Sequence, residues 1–324
     1  MKRKIVWLSF FVGLIVLIFM VSKIGIGKIW GNIKKVTITN FIILIFIRIL
    51  YWTLRTINWK VILNNFGSDI SLRTLFWARM GGHAVSQLTP AAQVGSELTR
   101  IMLINKENNR KKVFASVILD KTIEFLSVIF LSFLGILGLI YKVALSLRLK
   151  IFLISSVFIA TIFIIFFILK QNRGILGWFV SLVEKFNFGK KISEKYGENI
   201  AEIDSYLTDF YKYHKKSFFK VFLLYLLLVF FWIAEIYLTM RFIGMVKVTY
   251  VDAFFITILG NFALVFQITP GAIGIYEITY VGLFAIFGLS ESLALSLVFM
   301  RRILSLILAG FGLFSMFIVQ RGAK

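Results

Sequence analysis

The stretch QLTPAAQVGSE, residues 87–97, contains one of the two prolines in a chain of 324 residues, and the other lies in QITPGAIGIYE, residues 267–277. Aligned on their prolines, both stretches have Gln, Thr and Pro, then Ala two places and Glu seven places after the proline. Threonine is a favoured helix cap, and proline suits the first helical position because its missing N–H has no partner there anyway. The repeated phrase therefore predicts two helix starts, at Thr89-Pro90 and at Thr269-Pro270.

The composition around these phrases indicates an all-α polytopic membrane protein. Hydrophobic residues make up 59% of the chain and the mean hydropathy is +0.89. Several apolar runs are long enough to cross the hydrocarbon core of a bilayer, about 30 Å, and they are apolar all round rather than on one face. The net charge of +22 is assigned mainly to membrane topology. Nucleic-acid binding is not expected, because the chain has no soluble basic domain large enough for it.

We predict six spanning helices, at 5–22, 41–58, 113–141, 151–169, 218–240 and 292–319. The first run follows MKRK like a secretory signal, but no small-x-small cleavage site follows it, so we expect it to be retained. With a cytoplasmic N-terminus, the predicted cytoplasmic loops hold 21 Lys and Arg and the outer loops hold 9. This asymmetry favours a multi-pass protein of the cell membrane (plasma or inner) with both termini in the cytoplasm.

The two segments that contain the prolines differ from the six spans. Only 14 residues separate Pro90 from the polar NKENNRKK, and a helix of that length reaches about 21 Å, short of the ~30 Å core. We predict a re-entrant hairpin at 71–104 and, by analogy, a second one at 250–289 that enters from the other side. If both span instead, the chain has eight helical segments. Gly81-Gly82 in one half and Gly260 in the other, which precede the prolines, predict close helix approach.

This assignment predicts an inverted-topology repeat within one membrane domain, 1–324. Residues 1–145 and 146–324 then run through the membrane in opposite orientations, and Lys121 and Arg301 each lie 31 residues after a proline. Many secondary transporters are built in this way around a central site. The longest polar segment, 170–217, has apolar residues at helical spacing and predicts an amphipathic helix on the cytoplasmic interface, with a regulatory or recruiting site as the alternative.

Charged residues within the apolar segments are the candidate substrate site. A cation at the bilayer centre costs at least about 2.5–3.5 kcal/mol on insertion scales, so these side chains should face one another or a polar cavity. One interpretation is mutual neutralisation, for instance of Lys121 by Glu97 and of Arg301 by Glu277. Another, for Arg48 and Arg100, is that the side chains extend to the interface.

The cations outnumber the carboxylates, and surplus arginines near two helix N-termini suit a phosphate group. The candidate substrate-binding residues are Arg79, Thr89, Pro90, Glu97, Arg100, Asp120, Lys121, Thr269, Pro270, Gly271, Glu277, Arg301 and Arg302.

Four stretches together resemble a known family: PAAQVGSELTR at 90–100, ASVILDKTIEF at 115–125, TPGAIGIYE at 269–277 and LSLVFMRR at 295–302. They are similar to the flippase-like family, also described as the lysylphosphatidylglycerol synthase transmembrane region, and the resemblance covers nearly the whole chain. Where the family often has Glu-Arg, this chain has Asp120-Lys121, which keeps the charges but replaces the guanidinium group.

The resemblance implies translocation of a lipid between leaflets. In the best-known members the lipid is an aminoacylated phosphatidylglycerol made by a fused synthase. Since this chain ends at Lys324, directly after the last predicted helix, aminoacyl transfer is not expected here. A separate lipid synthase and a homo-oligomeric state stay open as partners.

The leading hypothesis is a lipid flippase or scramblase whose partner is a membrane phospholipid or a lipid-linked phosphate. One alternative is an ion-coupled carrier of a soluble anion, with Glu97 and Glu277 as titrating gates. Another is a lipid-modifying transferase at Asp120 and Glu124. No catalytic motif is present, and the chain has no cysteine and two histidines. We therefore expect no enzyme activity, no cofactor and no metal.

Overall fold

The structure is a computed structural model of the chain, and it describes residues 14–88, 92–104, 110–142, 146–183, 187–265 and 272–321. The regular elements in these ranges are helical. We number the helices α1 (Leu14–Ile24), α2 (Ile26–Ile33), α3 (Ile38–Asn65), α4 (Leu72–Leu88), α5 (Ala92–Leu103), α6 (Arg110–Lys142), α7 (Leu147–Gln171), α8 (Ile175–Val183), α9 (Asn187–Tyr213), α10 (Lys215–Phe242), α11 (Tyr250–Val265), α12 (Ile275–Ile286) and α13 (Glu291–Arg321).

Four helices in the described ranges are long and apolar enough to cross a membrane: α3, α7 from Lys150 onward, α10, and α13 as far as Phe314. Their most apolar windows have mean hydropathies between 1.5 and 2.9. A fifth span is possible if α1 and α2, which meet at 85°, act together. These spans confirm a polytopic helical membrane protein. They coincide with the predicted spans at 41–58, 151–169, 218–240 and 292–319, whereas the predicted span at 113–141 falls within the 33-residue helix α6.

The bend between α1 and α2 lies at Gly25, whose φ of 94° is readily adopted only by glycine. After the bend, α2 is held against α13. The Asn32 side-chain amide donates to the Ser296 hydroxyl at 3.2 Å, and that hydroxyl lies 3.3 Å from the Ile29 carbonyl oxygen.

The repeated phrase lies between α4 and α5 in one half and between α11 and α12 in the other. Thr89, Pro90, Thr269, Pro270 and Gly271 themselves lie outside the described residues. Helices α5 and α12 have 12 residues each, which is about 18 Å and less than the hydrocarbon core. The re-entrant path of both segments stays a prediction.

The predicted helix start at Thr269-Pro270 is wrong, because α12 begins at Ile275 with Gly274 as its N-cap. Ala272 and Gly274 have φ values of 54° and 87°, which no right-handed helix contains. A carboxylate from inside the helix supplies the cap: Glu277 Oε2 accepts the Gly274 N–H at 2.8 Å. The local preference of Thr-Pro is therefore overridden by the turn that follows it.

The predicted close approach is confirmed at Gly82 and at Gly260. A Cβ on Gly82 of α4 would lie 2.7 Å from the Ser96 carbonyl oxygen of α5. A Cβ on Gly260 of α11 would lie 2.9 Å from the Tyr280 hydroxyl of α12. Each helix pair that flanks a proline phrase therefore packs directly at a glycine.

The chain forms two compact units. The first comprises 1–53, 76–103 and 229–324, and the second comprises 54–75 and 104–228. Helices α3, α4 and α10 contribute residues to both. The division does not follow the predicted repeats, 1–145 and 146–324, which stay a prediction from the sequence.

In the second unit, the predicted amphipathic segment is a helical pair, α8 and α9. Leu207 and Phe210 on α9 are fully buried, and the Phe210 ring lies 6.2 Å from that of Phe66. The Asp204 carboxylate of α9 accepts the backbone N–H groups of Leu176 and Gly177 at 3.0 and 2.8 Å, and so caps α8. The segment is helical and part of its apolar face packs on protein, while its place at the cytoplasmic interface stays a prediction.

Candidate functional site

Glu235 on α10 is the centre of a buried charge cluster in the first unit. Arg48 of α3 donates from Nη2 to Glu235 Oε1 at 2.8 Å, and Arg301 Nε of α13 lies 3.6 Å from the same oxygen. Arg48 and Arg301 each lie ten residues after the first residue of their helix. Ten residues of helix span about 15 Å, half of the ~30 Å core. One carboxylate is therefore shared by two arginines at membrane depth.

Arg48 is fixed by further contacts inside the protein. Its Nη1 donates to the Ser305 hydroxyl at 2.8 Å and to the Arg301 carbonyl oxygen at 3.3 Å. The residue is only 6% exposed. The interpretation that Arg48 extends to the interface is therefore wrong.

Arg301 lies among aromatic side chains. Its Nη1 donates to the hydroxyls of Tyr280, at 3.0 Å, and Tyr276. The guanidinium carbon lies 5.6 Å from the centre of the Tyr276 ring and 5.7 Å from that of Trp232. Cation–π contacts of this kind strengthen when water is excluded. Arg301 thus links α13 to α12 through hydrogen bonds and to α10 through Trp232.

Glu277 contacts the neighbouring arginine, Arg302. Arg302 Nε donates to Glu277 Oε1 at 2.7 Å, while Glu277 Oε2 caps α12 at Gly274. The predicted pair of Arg301 with Glu277 is therefore wrong, because consecutive helix residues point about 100° apart and Arg301 faces Glu235 instead. The N-terminus of α12, predicted as an anion site, is occupied by a carboxylate of the protein itself.

The helix pair α4 and α5 carries the other predicted residues of the first unit. Arg100 Nη1 donates to Glu97 Oε2 at 2.6 Å, and both Arg100 and Arg79 are 2% exposed. Arg100 therefore does not extend to the interface either. The His83 ring packs against that of Trp52, with ring centres 4.6 Å apart and ring planes tilted by 46°.

Positive charge is in surplus in the first unit. Among its described residues, four arginines are buried but only two glutamates: Arg48, Arg79, Arg100 and Arg301 against Glu235 and Glu277. When the partly exposed Arg302 and Glu97 are also counted, arginines still outnumber glutamates by two. The surplus agrees with the prediction from the sequence.

Asp120 and Lys121 belong to the second unit. Tyr225 donates to Asp120 Oδ1 at 2.5 Å, and Glu124 Oε2 accepts from both Arg55, at 2.5 Å, and Lys121, at 3.1 Å. Two cations and two carboxylates balance this cluster. In the part of the chain that the structure describes, no group of three or more His, Cys, Asp or Glu side chains could hold a metal ion.

Sequence reasoning missed several residues of these clusters: Glu235, Trp232, Tyr276 and Tyr280 in the first unit, and Arg55 and Tyr225 in the second. Glu235 had a usable signal, because it is a single acid in the apolar run WIAEIYL of α10. The rule that selected Arg48, a charge at membrane depth, applies to it equally. The aromatic residues had no such signal.

Helices that can span a membrane, with buried ion pairs between them, define this chain as a multi-pass helical membrane protein. The family model of the lysylphosphatidylglycerol synthase TM region matches residues 6–312. The chain belongs to this flippase-like family.

The chain is also similar to UPF0104 membrane proteins of archaea. It is 28% identical over 182 residues to one of Methanothermobacter thermautotrophicus, a match that covers 54% of each chain, so it spans about half of that relative. It is 26% identical over 319 residues to one of Methanocaldococcus jannaschii, covering 93% of this chain and 91% of the relative. For Pyrococcus horikoshii the identity is 24% over 277 residues, covering 80% and 79%. No solved structure matches the chain.

Proposed function

We propose that this protein moves a lipid with a phosphate-bearing headgroup between the leaflets, and that the headgroup passes the arginine cluster of the first unit. The tails stay in the bilayer, as the family resemblance implies. One observation carries the proposal: Arg48 and Arg301 share a single carboxylate, that of Glu235, within helices able to span the membrane.

Two arginines that share one carboxylate can accept a second anion. A guanidinium group binds phosphate with two parallel hydrogen bonds, and an N–H to oxyanion bond is about twice as strong as a neutral one. Arg301 now uses its Nη1 on two tyrosine hydroxyls. A phosphate oxygen is a stronger acceptor than a phenol, so it displaces them when it arrives.

Displacement at Arg301 couples binding to movement of α12. The hydroxyls that would be released, those of Tyr276 and Tyr280, both lie on α12. The remaining bond between Arg302 and Glu277 would keep the helix attached to α13. Binding would therefore loosen one of the two polar links between α12 and α13 and leave the other, which suits a helix that rearranges during transport.

The test measures the movement of fluorescent phosphatidylglycerol and phosphatidylcholine across proteoliposome membranes, for wild type, Arg48→Gln and Arg301→Gln. Arg241→Gln, which removes an exposed arginine of α10, is the matched control. We expect each cluster variant to slow the anionic lipid by about tenfold or more, because a hydrogen bond to a charged group contributes about 1.5–3 kcal/mol. The control should behave as wild type.

Three results would contradict the proposal. Unchanged rates in both cluster variants would remove the arginine cluster from the path. Movement of neither lipid, together with uptake of labelled inorganic phosphate, would favour a carrier of a soluble anion instead. A new covalently modified headgroup in the lipid extract would favour the transferase alternative.

A further inference from the structure

We infer that the first unit holds a second lipid site, separate from the arginine cluster, where an anionic phospholipid binds with an acyl chain in a groove and its phosphate at Lys34 and Lys35. The groove has a volume of about 260 Å³ and lies where α2, the start of α3 and α13 meet. It does not rest on the proposed transport, because it requires no movement of the lipid.

The groove is apolar, and buried, closely packed side chains form its base. Its lining includes Trp30, Ile33, Ile38, Phe41, Met300 and Ile303. Met300 packs with Leu44 and Leu304 in a buried cluster on which Ile33 and Phe41 also pack. Side chains on the rim are open to the outside, with Ile38 73% and Trp30 54% exposed. Such a groove fits a flexible hydrocarbon chain.

The position of the groove indicates a membrane phospholipid. It begins at the first residues of the spanning helix α3, where acyl chains meet headgroups, and extends along α13 to Ile303. Trp30 marks the same level, since tryptophan is enriched at membrane interfaces. Helix α2 turns 85° away from α1 there and is held to α13 through Asn32, Ser296 and Ile29. The side of the groove formed by α2 is therefore held in place by hydrogen bonds to α13.

The charge beside the groove selects an anionic headgroup. Lys34 and Lys35 are exposed directly after α2. The Lys34 ammonium lies 5.8 Å from the centre of the Trp30 ring, and Lys35 Nζ donates to Asn32 Oδ1 at 3.2 Å. Residues 1–68 contain no Asp or Glu, so no acidic residue close in sequence neutralises these two lysines. Lys34, over the ring of the groove residue Trp30, and its neighbour Lys35 match a phosphate with an attached acyl chain.

The experiment is native mass spectrometry of the full-length protein in detergent, titrated with dioleoylphosphatidylglycerol or dioleoylphosphatidylcholine. The variants are Lys34→Gln/Lys35→Gln, and Ile303→Trp to fill the groove. Lys215→Gln/Lys216→Gln removes two exposed lysines of α10 and is the matched control. Thermal unfolding checks that each variant is folded.

We expect one phosphatidylglycerol to bind wild type more tightly than phosphatidylcholine does. Lys34→Gln/Lys35→Gln should weaken the binding of phosphatidylglycerol only. The expected loss is about 25-fold, since each lysine near a phosphate contributes roughly a factor of five. Ile303→Trp should weaken both lipids, while the control should keep wild-type binding. Equal affinity for both lipids, equal loss in the control, or protein dimers in place of lipid adducts would overturn the inference.

Discussion

Replacing Glu235 is expected to have a large effect on stability. Glu235 faces two buried arginines, Arg48 and Arg301. Removing one partner of a buried ion pair leaves an uncompensated charge and costs about 3–5 kcal/mol. We therefore expect Glu235→Gln to lower the thermal unfolding temperature of the detergent-purified protein sharply, as followed by tryptophan fluorescence.

The matched control is Glu202→Gln on α9. Glu202 bonds Lys111, but both side chains are largely exposed, 44% and 38%. Exposed ion pairs contribute little because water screens them, so this variant should unfold close to the wild-type temperature. Equal unfolding temperatures for the two variants would show that Glu235 is not held as described.

At the scale of residues, the sequence predicted which charged side chains form ion pairs inside the protein better than it predicted their partners. Arg301, Arg302 and Glu277 were selected because charge at membrane depth is costly. The pairing of Arg301 with Glu277 was wrong, because the partner depends on which face of α13 meets which helix. That orientation follows from packing between helices far apart in the chain, which one sequence does not reveal.

At the scale of elements, the contact between α11 and α12 depends on the absence of a side chain at Gly260. An added methyl group would lie 2.9 Å from the Tyr280 hydroxyl, and Tyr280 also bonds Arg301. Overpacking of this kind typically costs about 1–3 kcal/mol. We expect Gly260→Ala to lower the unfolding temperature and to slow lipid movement in proteoliposomes.

Gly282 on α12 provides the matched control. A Cβ there meets nothing within 4 Å, and alanine is a better helix former than glycine by up to about 1 kcal/mol. Gly282→Ala should therefore keep or raise the unfolding temperature. If both variants lower it equally, the close contact at Gly260 is not the cause.

The cap of α8 can be tested separately. Asp204 accepts two backbone N–H groups at the start of this nine-residue helix. Loss of a capping side chain costs about 1–2 kcal/mol in favourable cases, and short helices depend on such contacts. Asp204→Ala should speed amide hydrogen exchange over 175–183. Asp209→Ala, which like Asp204 lies on α9, should leave the exchange rate over 175–183 unchanged.

Helix starts were the weakest prediction at this scale. Thr-Pro indicates a helix start from local preferences alone, yet α12 begins five residues after Pro270. The turn at Ala272 and Gly274 and the cap from Glu277 decide the boundary. By contrast, the close contacts at Gly82 and Gly260 were predicted correctly. Glycine in an apolar helix commonly marks a place where another helix approaches closely.

For the whole molecule, composition alone gave the class correctly. Runs of some 20 apolar residues satisfy their backbone groups only as helices in a membrane, so a polytopic helical protein follows directly. The two compact units were not predicted, since the first joins residues from both ends of the chain. Such long-range contacts leave no periodic signal in the sequence.

The orientation of the whole molecule is the last prediction, and the chain suits its test because it contains no cysteine. We predict that Lys247→Cys, after α10, is labelled by a membrane-impermeant maleimide added to intact cells. Arg173→Cys, after α7, should be labelled only once the cells are permeabilised. Both residues are exposed, and wild type provides the background. The reversed pattern would place the more basic loops outside and contradict the charge rule for this protein. Labelling of both from outside would mean that α10 does not cross the membrane.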